Sequence, residues 1–376
     1  MKKIASLIIA ALIICAVLPI AAVPAFAETT DGVEYCRWNE ETNSLETATQ
    51  DNCVVIDETT DEIGEEADMK WIVVNDVVRI DTIYIYGEAN IILAEGGELI
   101  TNNIIGIDAD LHIYGTSPEG KGGTLRFTGG EIAALQVNGF ELCGGSVIVE
   151  EGYYICGFQT FNDITVHGGS LSVCAESMAI YGPGLTLTGG NIDINAEIAL
   201  FGELTMSGGR FNAVARSYGI CGGASVTGGA LDILAGSICI NCMNLTEMRE
   251  SPFSFSNNID SIHLAVNTGE LEGTDGSELL FLYIAGNHDD IVLFEGRNGQ
   301  WVNRGKLGDL NDNIQPAKEI LLLPDADRIS DFPLPYADGS SAGSVISDGS
   351  LAIIVGVAAA VIFGLGGYFI GKKNKA

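Results

Sequence analysis

A pair of glycines recurs through the middle of the chain, and nothing else in the sequence restricts the possible folds so strongly. The pairs begin at Gly144, Gly168, Gly189, Gly208 and Gly228, at spacings of 24, 21, 19 and 20 residues. A further pair at Gly129 marks an earlier, shortened turn. Alternating apolar residues precede each pair. In the unit Leu185–Gly202, Leu185 and Leu187 alternate with Thr186 and Thr188, the pattern of a strand with one buried face. Gly189-Gly190 then supplies a tight corner. Ile192 and Ile194 alternate with Asn191, Asp193 and Asn195 in a second strand, and Ile198 with Leu200 forms a third that ends at Gly202.

Strands this short cannot pair with their sequence neighbours around hairpins within a unit of about twenty residues. Each can pair in parallel with its equivalent one repeat later, about 4.8 Å away. The expected fold is therefore all-β: a parallel β-helix over residues 71–245, with Ile155, Ile180, Leu200, Ile220 and Ile240 as an internal apolar ladder. The crossover rule favours right-handed winding. Apolar spacing of two, not 3.6, excludes a helical solenoid. Residues 28–70 read as an N-terminal lead-in and cap, with Asp57–Asp68 as a solvated acidic loop. Residues 246–330 read as a β-rich C-terminal cap, with strand-like stretches at 279–285, 291–294 and 320–323, that hides the last open edge.

The two ends predict export and anchoring. Residues 1–27 read as a signal peptide: Lys2 and Lys3, an apolar run from Ile4 to Ile20, and Ala25-Phe26-Ala27 as the cleavage site. Residues 331–350 read as a flexible Ser/Gly/Asp stalk. Residues 351–371 contain an uncharged apolar run long enough for one transmembrane helix, and the basic tail 372–376 is then cytoplasmic. The expected location is the cell membrane, single-pass, with the N-terminus outside. The chain holds 18 Lys and Arg against 50 Asp and Glu, a net charge of −32. Such a surface repels phosphate backbones, which excludes nucleic acid as a partner.

The stretch Trp71-Ile72-Val73-Val74, then Ala89-Asn90-Ile91-Ile92-Leu93-Ala94-Glu95-Gly96, Leu111-His112-Ile113-Tyr114-Gly115 and Gly123-Thr124-Leu125, followed by a Thr-Gly-Gly unit, carries a resemblance. It resembles secreted and cell-surface parallel β-helix repeat proteins of gut Gram-positive bacteria, of the Gly-Gly repeat type, over roughly residues 70–245. That resemblance implies a carbohydrate-binding or adhesin-like surface module. Some of these proteins place paired Asp residues in each coil, an arrangement suited to calcium. Here the column is mostly Ala, Ser or Gly, so no cofactor is expected.

Several constellations are candidates for function. Tyr181 and Phe201 lie one coil apart and face outward by alternation; with Tyr154 they form a stripe suited to sugar rings. Asp193, Asn212 and Asp232 occupy one outward column. The carboxylates of Asp193 and Asp232 would lie two rungs, about 9.6 Å, apart. That is near the upper limit for an inverting glycosidase pair, which keeps a polysaccharide hydrolase or lyase as the alternative; the bland reading is a solvated polar ladder. His167 shares a corner column with Thr188, Ser207 and Thr227. Cys36 and Cys53 are a disulfide candidate because they share the N-terminal segment. Cys156 and Cys221 fall in one column by the same count, and Cys239-x-x-Cys242 lacks the second ligand pair that zinc requires. Asn287-His288-Asp289-Asp290 reads as a polar turn rather than a metal site. No metal site and no catalytic residue is therefore expected. The leading reading is a non-catalytic interaction module whose partner is an extracellular glycan or host-surface polymer. A purely structural surface protein is the third.

Overall fold

A computed structural model describes residues 28–335, save 118–120, 131, 151–154, 242, 245–248, 251–252, 267–283, 286–289, 298 and 310–318. It is a β-solenoid of about nine turns. Three parallel sheets run along it, one for each strand of the repeat. On the first, Ile72 pairs with Ile91, Ile91 with Ile113, Ile113 with Leu142 and Leu142 with Val166; Leu187, Met206 and Val226 continue the column. All eight are fully buried. The second sheet stacks Leu171, Ile192, Phe211 and Leu231 in the same way. Each rung places an apolar side chain directly over its equivalent, so no coil closes its own core and all of them share one.

The third sheet carries the ladder expected from the repeat, with one exchange. Ile180, Leu200 and Ile220 stack in register and are fully buried, and Ile240 packs against the same core. Their partner in the preceding coil is Phe158, not Ile155. Phe158 is fully buried, while Ile155 is half-buried and precedes the strand Cys156–Thr160. The coil between Gly144 and Gly168 is the longest of the series, and the additional residues displace the count by three. Leu135, Ile104 and Ile83 extend the ladder toward the N-terminus.

The glycine pairs are the corners between the first and second sheets. Gly190 has φ +78° and Gly209 φ +72°, and a Cβ on either would lie 2.7 and 2.6 Å from the carbonyl oxygen of the glycine one coil earlier. Only glycine relieves both the left-handed backbone and this close approach. The corner column begins earlier than Gly144: strand Thr124–Phe127 follows Gly122-Gly123 and pairs in register with Ser146–Val149, which follows Gly144-Gly145. The pair at Gly129 lies beyond that strand and outside the column.

Parallel pairing runs from Cys53–Val55 to Ile284–Ala285, wider than the repeat visible in sequence. Within the acidic stretch, Glu62–Ile63 already pairs with the next coil, and Ile63 is fully buried. At the C-terminal end, Val292–Arg297, Gln300–Lys306 and Glu319–Leu323 are antiparallel, and Glu319–Leu323 pairs with the solenoid strand Ile259–Val266. That reversal closes the open edge.

The expected architecture needs one correction. Among the described residues no helix is long and apolar enough to cross a membrane, and the fold they form is an all-β solenoid. The segment 351–371 on which that expectation fell lies outside the described residues, as do 1–27, 336–350 and 372–376.

Candidate functional site

The exterior of the solenoid offers three distinct surfaces, each produced by the repeat. The first is an aromatic patch on the third sheet. At its corner two consecutive residues turn inward: Ala199 and Leu200, like Ala179 and Ile180, are fully buried in the core. The residues on either side therefore both face out. Ile198, Met178 and Cys156 form one outward ladder with Tyr218; Tyr181, Phe201 and Cys221 form the next. Together they make an apolar cluster separate from the core, with Tyr181, Phe201 and Tyr218 half-buried and lying over the smaller residues. The rings of Tyr181 and Phe201 stack at 5.4 Å and 28°. Burial raises the phenols of Tyr181 and Tyr218. It also pushes the thiols of Cys156 and Cys221 up to about 12, which keeps them protonated and unreactive at neutral pH. Cys156 and Cys221 stand in adjacent ladders rather than one column. Tyr154 lies outside the described residues, as do Cys242 and residues 287–289.

Tyr218 was not legible from alternation. Between Ala215 and Tyr218 the coil carries one more residue than its neighbour does between Ala196 and Ile198, and this bulge shifts the parity. The sequence signal that finds it is the distance of 20 from Ile198, the repeat length itself.

The second surface is the polar column on the second sheet. Asp193, Asn212 and Asp232 occupy successive rungs. The Asn212 amide donates to Asp193 Oδ1 at 3.0 Å. Asp232 faces the cap instead: its Oδ1 is 2.9 Å from His263 Nδ1, and His263 Nε2 is 3.0 Å from Glu319 Oε1. Burial disfavours a charged imidazole there, but the hydrogen bonds and charges of the two carboxylates outweigh it and raise the His263 pKa to about 9. Arg210 approaches Asp232 at 4.0 Å. This column and the aromatic patch lie on different sheets, so the residues proposed for stacking and for acid–base chemistry do not meet. Among the described residues no group of three or more His, Cys, Asp and Glu is placed to hold a metal ion.

The third surface is the outer side of the first sheet, and it changes character along its length. Over the early coils it is covered by a hairpin of Val33–Asn39 and Ser44–Gln50. Tyr35 packs against Trp71 and Tyr114 with centroids 5.1 and 5.0 Å away, and Trp38 stacks on His167 at 4.2 Å and 9°. Under the hairpin Glu141 links two histidines: Oε2 is 2.6 Å from His112 Nδ1, and Oε1 is 3.5 Å from His167 Nε2. Burial would raise Glu141, but the His112 contact outweighs it and holds the carboxyl below its ordinary value. Partial burial would lower His112, yet the same contact raises it, whereas burial leaves His167 lowered. Cys36 and Cys53 are free and buried. Cys36 is opposite Thr47 in the hairpin, and Cys53 is opposite Thr30 in a different strand pair.

Past the hairpin the same surface consists of hydroxyls. Thr165, Thr186, Thr205, Ser225 and Ser254 form one column by direct pairing. Thr188, Ser207, Thr227 and Ser256 form the second, each amide donating to the carbonyl of the coil before. Thr205, Ser207 and Thr227 are exposed.

Comparison with protein-family models, with curated proteins and with solved structures found no match for this chain. The resemblance to gut Gram-positive repeat proteins therefore extends to the architecture, a parallel β-solenoid, and to no family or origin.

Proposed function

We propose that the protein is a non-catalytic interaction module, exported by way of residues 1–27, that binds extracellular carbohydrate through the exterior of its solenoid. The observation that carries this reading is the stacked pair Tyr181–Phe201, joined by Tyr218, on an apolar patch outside the core. Aromatic rings fixed on a rigid scaffold suit the apolar faces of sugar rings, and a rigid scaffold lowers the entropy lost on binding. A non-catalytic role is supported by the polar column. Asp193 is bonded within its own ladder and Asp232 is tied to the cap, so neither is paired with the other as acid and base.

A glycan array probed with the protein tests this reading. Binding to at least one oligosaccharide class is expected, and Tyr181→Ala with Phe201→Ala should reduce it about tenfold, the loss of one or two stacking contacts. Absence of binding to every glycan overturns it in favour of a structural surface protein. Release of new reducing ends or unsaturated products from a polysaccharide, abolished by Asp193→Asn, overturns the non-catalytic assignment.

A further inference from the structure

The hydroxyl surface on the first sheet is not used by the aromatic patch, and three observations set it apart. First, two neighbouring outward columns carry hydroxyls through three successive coils, Thr186, Thr188, Thr205, Ser207, Ser225 and Thr227, and the outward column beside them holds Asp163, Gly184 and Glu203. The protein has a net charge of −32, yet no charged side chain interrupts these six. Second, strand propensity does not explain them. Thr favours strands through its branched Cβ, but Ser does not, and Ser stands at Ser207 and Ser225. What the positions share is the hydroxyl group. Third, the surface is continuous with a face on which this molecule already seats another segment. The N-terminal hairpin occupies it as far as Gly168, where a Cβ would meet Leu45, and His167 Nδ1 contacts Thr188 Oγ1 at 2.7 Å across the boundary.

Some of these hydroxyls are oriented by the scaffold. Thr227 Oγ1 donates to the Met206 carbonyl at 3.2 Å, and this leaves its lone pairs directed away from the sheet. The columns repeat about every 4.8 Å along the axis and about 6.8 Å along the strand. A regular, uncharged mesh of donors and acceptors suits a partner that is itself regular, uncharged and rich in hydroxyls. Acidic polymers are disfavoured by the charge of the surrounding surface.

We infer that the Ser/Thr surface is a second contact site, and that its ligand is a neutral polysaccharide presented as an extended or insoluble polymer. This rests on the carbohydrate-binding reading and adds to it the ligand's charge class and a second site. Single contacts of this kind are weak, so their effect comes from many engaged together.

The test compares insoluble neutral polysaccharides, such as amorphous cellulose and starch, with polygalacturonate and with short neutral oligosaccharides. Thr205→Glu combined with Thr227→Glu places charge at exposed positions of both columns. It should weaken retention on a neutral polymer roughly tenfold or more, because a carboxylate must be desolvated at the contact. Binding of short oligosaccharides at the aromatic patch should not change, and Thr205→Ser should behave as the unmodified protein. If the double variant melts early, Thr205→Gln, bulky and neutral, reads the same contact. Unchanged retention of the double variant overturns this inference and leaves the aromatic reading standing. Preference for polygalacturonate over neutral polymers overturns the ligand class. Absence of binding to any glycan removes the carbohydrate reading, and this inference falls with it.

Discussion

The outer side of the first sheet is one continuous surface with two halves. Beneath the hairpin its columns read Trp71, Tyr114, His112, Glu141 and His167; beyond it they read Thr186, Thr188, Thr205, Ser207, Ser225 and Thr227. The inner side of the same strands does not change: Ile113 and Leu187 are equally buried. The backbone is indifferent to what its outward residues are. Their identity follows from what covers them: the aromatic rings and histidines gather where the hairpin lies over the sheet.

This comparison can be broken in several ways. The largest effect should come from the side that is the same in both halves. Ile113→Ala under the hairpin and Leu187→Ala under the open half should each cost about 2–5 kcal/mol in denaturant unfolding, since both empty a site in one shared core. A much smaller cost for either would mean that the halves do not share a core. Next is Trp38→Ala, which removes the ring on His167 and part of the cover. A loss of about 3 kcal/mol is expected, with faster amide exchange confined to the covered half.

The histidines sharpen the comparison through pH. His112 is raised above its ordinary value, so the stability it contributes is complete below about pH 6.5 and is lost as pH rises through its folded value. His167 is lowered, so its contribution is complete above about pH 6.5 and is lost as pH falls. His112→Gln and His167→Gln should therefore change the slope of stability against pH in opposite senses, as thermal melts between pH 5 and about pH 8 would show. Equal slopes would remove the electrostatic part of the argument. The smallest effect is expected from Thr205→Ala on the open half, within about 0.5 kcal/mol of the unmodified protein.

At the far end His263 provides a separate check. Its pKa of about 9 places the loss of its stabilising contribution between about pH 6.5 and 9, as the imidazolium between Asp232 and Glu319 gives up its proton. His263→Gln should flatten the melting curve over that range.

The core was legible in the sequence because two periods coincide in it. Alternation identifies the inward residues of each strand, and the recurrence of about twenty residues places Leu200, Ile220 and Ile240 over one another. The two periods part where a coil departs from that length. Phe158 stands where the count places Ile155, within the long coil, and a one-residue bulge takes Tyr218 out of the alternation. The hairpin cover and the His263 link were not legible, because both join residues far apart in sequence with no periodic signal. Trp38 meets His167, and Glu319 meets His263, only through the fold. Of the candidate site, Tyr181 with Phe201 and Asp193 with Asn212 and Asp232 are adjacent as expected, but on separate sheets.

Through the repeat, each turn meets the next at a glycine corner, Gly145, Gly169, Gly190, Gly209 and Gly229, that no other residue can replace without strain. A whole turn is therefore the natural unit of insertion or deletion in this chain: removal of the nineteen residues 193–211 would bring Asn212 beside Ser172 in place of Asp193 and leave the rungs above and below in register. The reach of such a molecule, and the number of hydroxyl and aromatic steps it displays, can change by whole turns without redesign of its interior.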